Sequence, residues 1–215
     1  MGGRGANIKA RKSSGDGIPN AATEWYVSGE GMWINEYLRG NVGEDFGELN
    51  DFEKQMLNDL DKATNGTIKE STLYRSVDAS AIFGNISQMD YDHLREYLIF
   101  GEDSFGKGAY ADGIRNKISN IINVTLGKTE TEKGFMSTTA DRTVAEEFRD
   151  FTGSEKPIVM KITNAKGAKG VDVSIYDEKA SYFPQDERLL ARGQNYKVER
   201  IYSENGEICV DIRLK

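Results

Sequence analysis

His93 and Cys209 are the only imidazole and the only thiol in a chain of 215 residues. Paired-histidine metal motifs, multi-cysteine zinc sites and internal disulfides are excluded at once. His93 lies in a polar, helix-like stretch (YDHLREY) and reads as an ordinary surface or half-buried histidine, not as the base of a triad. Cys209 alternates with Ile208 and Val210 and reads as a structural thiol. No G-x-G-x-x-G follows a strand, and there is no Walker A sequence and no H-E-x-x-H, which disfavours a Rossmann-type nucleotide site. What remains is a guanidinium, a few hydroxyls and a carboxylate. They sit in three segments met in order along the chain: Tyr74-Arg75, then Ser137-Thr138-Thr139 after Gly134-Phe135-Met136, then Gln185-Asp186-Glu187 running into Leu189-Leu190. Each segment alone is commonplace. Their joint order on three strand-like runs is the signal.

With these segments the sequence resembles the mono-ADP-ribosyltransferases of the Arg/Ser-Thr-Ser/Glu class. It looks most similar to the small Rho-modifying exoenzyme toxins and the catalytic halves of actin-modifying binary toxins. INEYLRGN (34–41) resembles the segment those proteins carry ahead of the Arg strand, and GFMSTT (134–139) resembles their G-[FY]-x-S-T-S. KPIVMKI with AKGAKGVDV (156–173) is similar to their next two strands, and QDERLLARGQNYKVERI (185–201) to their Q-x-E-x-L-L-x-R pattern. The likeness spans about residues 24–203. The opening MGGRGA is more loosely similar to ADP-ribosyltransferases associated with phage head proteins.

The resemblance implies NAD as co-substrate and no metal. Breaking the nicotinamide–ribose bond passes through an oxocarbenium-like state, as in glycoside hydrolysis. A carboxylate beside that ribose stabilises charge that grows only in the transition state. By the resemblance this catalytic role falls to Glu187, oriented by Ser137. Arg75 matches the family's arginine on the pyrophosphate, where a planar fork outperforms a point charge. Arg39 and Asn35 match a second phosphate or ribose contact. Thr138 and Thr139 would support the strand and the nicotinamide pocket, with Thr139 standing where the family has serine. For the loop over the phosphates, Phe151 and Lys156 are the nearest matches, with Arg149 a rival for the cation.

Acceptor choice in such enzymes lives two residues before the glutamate. Members with Glu there modify arginine, while those with Gln modify asparagine on Rho-type GTPases or, in another branch, guanine. Gln185 therefore points to an asparagine-type acceptor, since an amide pairs with an amide but cannot deprotonate a guanidinium. Tyr182 matches the aromatic that contacts the protein acceptor, with Phe183 as its alternative.

The elements that must position these residues read as α+β: helices first, then mainly strands with short crossings. The resemblance sharpens this to an N-terminal helical lobe packed on a two-sheet β-sandwich, as in the ADP-ribosyltransferase fold. Helical spacing begins at Asn20 and runs through WINEYLRG to Gly40. A second helix is capped by Asn50 with Glu53 three residues on, and Phe52, Met56, Leu57 and Leu60 form one face. Trp25 and Trp33 read as core anchors of this lobe. STLYRSV (71–77) is a strand, and 90–126 is helical around a glycine-rich connector at 101–113. Strands follow at 134–139, 157–162, 170–175 and 187–192, and a closing hairpin turns on Asn205-Gly206.

Composition bounds the partners. Hydrophobic residues make up 38% and charged residues 29%, and no run approaches the ~18 apolar residues of a membrane span. No signal-peptide core is visible. The 23 glycines exceed the usual ~7% share. Five of them fall in residues 1–20, which read as a flexible, basic, glycine-rich leader ahead of a single ADP-ribosyltransferase domain at 21–215. A net charge of −7 argues for a host protein acceptor, a small GTPase by the resemblance, over nucleic acid. The expectation is a monomer without membrane contact, acting in the cytoplasm of a host or target cell by an unspecified delivery route. The competing readings are guanine-specific transfer to nucleic acid, NAD hydrolysis, and a non-catalytic phage interaction protein.

Overall fold

The computed structural model describes residues 17–41, 47–179 and 186–215, together with the backbone but not the side chains of a few further positions within them. Chain contacts gather these residues into two compact units, each assembled from separate segments. One holds the described residues up to Lys69 with Glu132–Ser137 and Gly167–Gln194. The other holds Glu70–Thr131, Thr138–Lys166 and Asn195–Lys215.

The first unit opens with the helices. Asn20 caps α1 (Ala21–Trp25) by accepting from the Ala22 and Thr23 amides while Thr23 reaches back, a complete capping box. A wide turn at Tyr26–Glu30, with Gly29 at φ +109°, leads into α2 (Gly31–Arg39). The helix stops where Gly40 takes φ +78°, the left-handed conformation that glycine adopts without a steric penalty. Asn50 and Glu53 form a second capping box at α3 (Asp51–Ala63), and Leu60 is fully buried while Phe52 stays mostly exposed. Trp25 meets Trp33 edge-to-face at 5.8 Å, so both tryptophans anchor the lobe as their spacing suggests. The core of this unit joins Trp25, Tyr26, Ile34 and Leu60 to Phe135, Val171 and Leu189. Its strands run in the order β3 (Met136–Thr139), β6 (Glu187–Leu190), β5 (Gly170–Asp172), and β5 pairs antiparallel with β6. Gly17 is also packed here, against Gly66, although composition groups it with the leader.

The second unit is built on the order β2 (Thr129–Glu132), β7 (Gln194–Glu204), β8 (Glu207–Leu214), β4 (Pro157–Thr163), β1 (Thr72–Asp78) and the end of β3. β1 pairs antiparallel with β3 and β4, β7 antiparallel with β8, and β4 parallel with β8. The β7–β8 hairpin turns through Asn205 and Gly206, both at positive φ, as an Asn-Gly two-residue turn requires. Two long helices, α5 (Gln88–Phe100) and α6 (Ala109–Thr125), account for the helical stretch read from 90 to 126. The loop between them is a connector tied down by Arg115, which donates to the carbonyls of Gly106 and Glu102. His93 is half-buried and packs edge-on against Phe105 in that loop. Two further helices lie outside the stretches read as helical from the sequence: the single turn α4 (Ser80–Phe83) and α7 (Arg142–Thr152). The fold is α+β, with a helical N-terminal lobe.

Candidate active site

The first unit gathers a group that sequence spacing could only suggest. Asn35 and Arg39 lie one turn apart on α2, so both side chains leave the same face. Asn35 is buried, and its Oδ1 accepts the Phe135 amide at 2.8 Å. Helix α2 is thereby fastened to the segment that leads into β3. Gly134 makes the approach possible: a Cβ there would stand 2.6 Å from Asn35 Oδ1 and 3.3 Å from an Arg39 nitrogen. Glu132 completes the cluster, accepting from Arg39 Nε at 3.0 Å and from the Gly134 amide at 2.8 Å.

One residue further along β3 is Ser137, half-buried, with Tyr26 Oη 3.3 Å from its Oγ. Asn35 Nδ2 donates to the same tyrosine oxygen at 2.7 Å. Glu187 opens β6, the strand next to β3 in this unit, and is only 7% exposed. Burial at this level penalises the charge of a carboxylate. Asp186, just before it, adopts φ +43°, and this local kink sets the glutamate's entry into the strand.

The remaining expected site residues fall in the second unit or outside the described residues. Arg75 is half-buried on β1 opposite Met160 of β4, and its neighbour Tyr74 pairs with Thr139 of β3. Thr138 and Thr139 are both buried, and Thr139 Oγ1 accepts from the Asp141 amide at the start of α7. The ammonium of Lys156 donates to the Ile86 carbonyl at 2.8 Å and lies near Asp78. Phe151 belongs to α7, but its side chain, like that of Arg149, is outside the described residues. Tyr182, Phe183 and Gln185 also lie outside them. Tyr26 and Glu132 were missed by sequence reading. Their partners lie up to 111 residues away, and no local pattern announces such pairings.

The family model of the ADP-ribosyltransferase exoenzymes matches residues 19–212, nearly the whole chain. The chain belongs to this family. It is an NAD-dependent mono-ADP-ribosyltransferase. Comparison with curated proteins finds no match. Among solved structures, the C3 exoenzyme of Clostridium limosum is 20% identical with a TM-score of 0.63, over 97% of this chain and 87% of that one. C3stau2 from S. aureus, solved with NAD, is 18% identical at a TM-score of 0.60, covering 88% and 83%. BECa of a C. perfringens binary enterotoxin, solved with NADH, is 20% identical at 0.55, over 90% of this chain but 42% of the larger toxin. The transferase thus shares the α+β fold of these toxins. Among its described residues no cluster of metal-binding side chains is found, and no helix is long and apolar enough to cross a membrane.

Proposed function

We propose that this transferase moves ADP-ribose from NAD to an asparagine-type side chain of a host protein, a small GTPase by the resemblance of its motifs. The reading rests chiefly on Glu187, a buried carboxylate at the head of a strand beside the one that carries Ser137. In the oxocarbenium-like transition state the ribose gains positive charge, and a fixed carboxylate at the 2′-hydroxyl stabilises that state more than bound NAD. Ser137 orients the carboxylate. Arg39, Asn35 and Arg75 hold the phosphates and ribose, and Thr138 and Thr139 line the nicotinamide side. Tyr182 or Phe183 meets the acceptor protein, and Gln185 presents an amide that pairs with the acceptor amide.

The test is incubation of the protein with labelled NAD and host-cell lysate, wild type beside Glu187→Gln. Wild type should consume NAD and label a protein, and the variant should lose about 100-fold or more of the rate. Mass spectrometry should place the label on asparagine. Label on arginine refutes the Gln185 argument, label on nucleic acid refutes the protein acceptor, and an active Glu187→Gln refutes the catalytic assignment.

A further inference from the structure

We infer that Tyr26 is a positioning residue for the transfer reaction, setting the direction of the hydroxyl of Ser137 and through it the carboxylate of Glu187. The inference rests on the Ser137–Glu187 reading above and adds to it the group that decides where the serine proton goes.

The argument is one of donors and acceptors. Asn35 Oδ1 accepts from the Phe135 amide, a backbone N–H that can only donate. This identifies which end of the Asn35 amide is oxygen, the assignment that usually has to be guessed. The Nδ2 end must then face Tyr26, and it donates to the tyrosine oxygen at 2.7 Å. A hydroxyl that accepts there has its own single proton to give elsewhere, and Ser137 Oγ stands 3.3 Å away. If Ser137 accepts from Tyr26, its own proton is released for an acceptor on its other side. Glu187 is the buried carboxylate on the adjacent strand of the same unit. Donor type fixes the first two links, Phe135 amide to Asn35 and Asn35 to Tyr26, and the inferred continuation is Tyr26 to Ser137 and Ser137 to Glu187. An orienting serine is useful only if it donates to the carboxylate, and it is the upstream donors that make it do so.

The tyrosine itself is held by packing. Tyr26 is 5% exposed, and its ring meets Phe135 edge-to-face at 5.9 Å. Removing the hydroxyl alone leaves that packing in place, which makes the idea testable without unfolding the site.

The experiment measures nicotinamide release from NAD in the presence of host-cell lysate, with thermal melts on every variant. Tyr26→Phe should lower kcat about tenfold, the scale of a modest misplacement at a reacting centre, while leaving KM for NAD nearly unchanged. The deciding measurement is the double variant. In a Ser137→Ala background the loss from Tyr26→Phe should vanish, because the hydroxyl it aims is already gone. Equal losses from Tyr26→Phe on both backgrounds, or no loss on either, overturn the inference. Ser137→Ala at wild-type kcat overturns it as well, and there the Glu187→Gln result shows whether the carboxylate assignment survives without the serine.

Discussion

The side-chain oxygen of Asn35 accepts the backbone amide of Phe135 at 2.8 Å, joining helix α2 to a strand segment 100 residues later. The contact exists because residue 134 has no side chain. A Cβ at Gly134 would lie 2.6 Å from that oxygen, closer than carbon and oxygen tolerate.

Gly134→Ala should therefore push Asn35 off the Phe135 amide and disturb Tyr26 and Ser137 with it. We expect loss of stability of about 1–3 kcal/mol, the usual cost of overpacking, and a larger proportional loss of NAD cleavage. Denaturant melts and nicotinamide release on the same sample check both. Wild-type activity in Gly134→Ala would show that the Asn35 contact is dispensable.

Glu132 holds Arg39 and the Gly134 amide with one oxygen, and both charged groups are largely shielded from water. Glu132→Ala should cost about 1–2 kcal/mol, because a partly buried guanidinium and an amide lose their acceptor together. Urea denaturation measures it. The same variant tests whether Arg39 depends on Glu132 for its orientation, read as a rise in KM for NAD.

A third close approach concerns stability alone. A Cβ at Gly66 would stand 2.3 Å from the Cα of Gly17 and 3.0 Å from the Gly170 carbonyl oxygen. Both obstacles are backbone, so neither can swing aside. Gly66→Ala should lower the melting temperature by several degrees, equivalent to about 1–3 kcal/mol. An unchanged melt would mean that Gly17 is not held against Gly66 in solution.

Asp90 and Asp78 of the second unit contribute to its stability at the acid end. Burial pushes Asp90 up, but donation from Lys117 and Ser87 outweighs it and holds the group below its ordinary 3.8. Asp78 behaves alike: burial raises it, and Ser80, Ser154 and Lys156 bring it below 3.8. A lowered native pKa means that the unfolded state binds the proton more readily. The stabilisation is complete above the unfolded value near 3.8 and is lost as pH falls through the lower native values. Asp90→Asn should destabilise the protein by about 1 kcal/mol at pH 7 and shrink the difference from wild type below about pH 4. A gap that does not shrink at all as pH falls below the unfolded value would contradict the assignment.

Burial raises the thiol of Cys209 to about 11, although the Arg142 guanidinium nearby pulls the other way. With the side chain 1% exposed as well, the native protein should react with a thiol reagent at pH 8 at least ~100-fold more slowly than the unfolded chain. Rapid native labelling would place Cys209 outside the β8 core.

Much of this was legible in one dimension. Asn50 with Glu53, Gly40 after Arg39 and Asn205-Gly206 state their local structures outright, because a cap or a tight turn is decided within four residues. Helix α7 carries a signal of its own that the strand reading of its neighbours passes over: Asp141 as cap, then Val144, Phe148 and Phe151 at helical spacing. The pattern of Arg75, Ser137 and Glu187 was readable as order along the chain, since the resemblance is carried by short strands whose residues alternate at fixed spacing.

By itself, then, the chain determined its class of chemistry, its caps and turns, and, with one His and one Cys, the lack of paired-histidine and multi-cysteine metal motifs. Only the tertiary structure decided that Asn35, Tyr26 and Ser137 form one hydrogen-bonded line and that Glu187 is buried beside their strand. The physical reason is range. Backbone caps and turns are satisfied by neighbours in sequence, whereas the donor and acceptor that aim a side chain can come from any segment that packing brings within 3 Å.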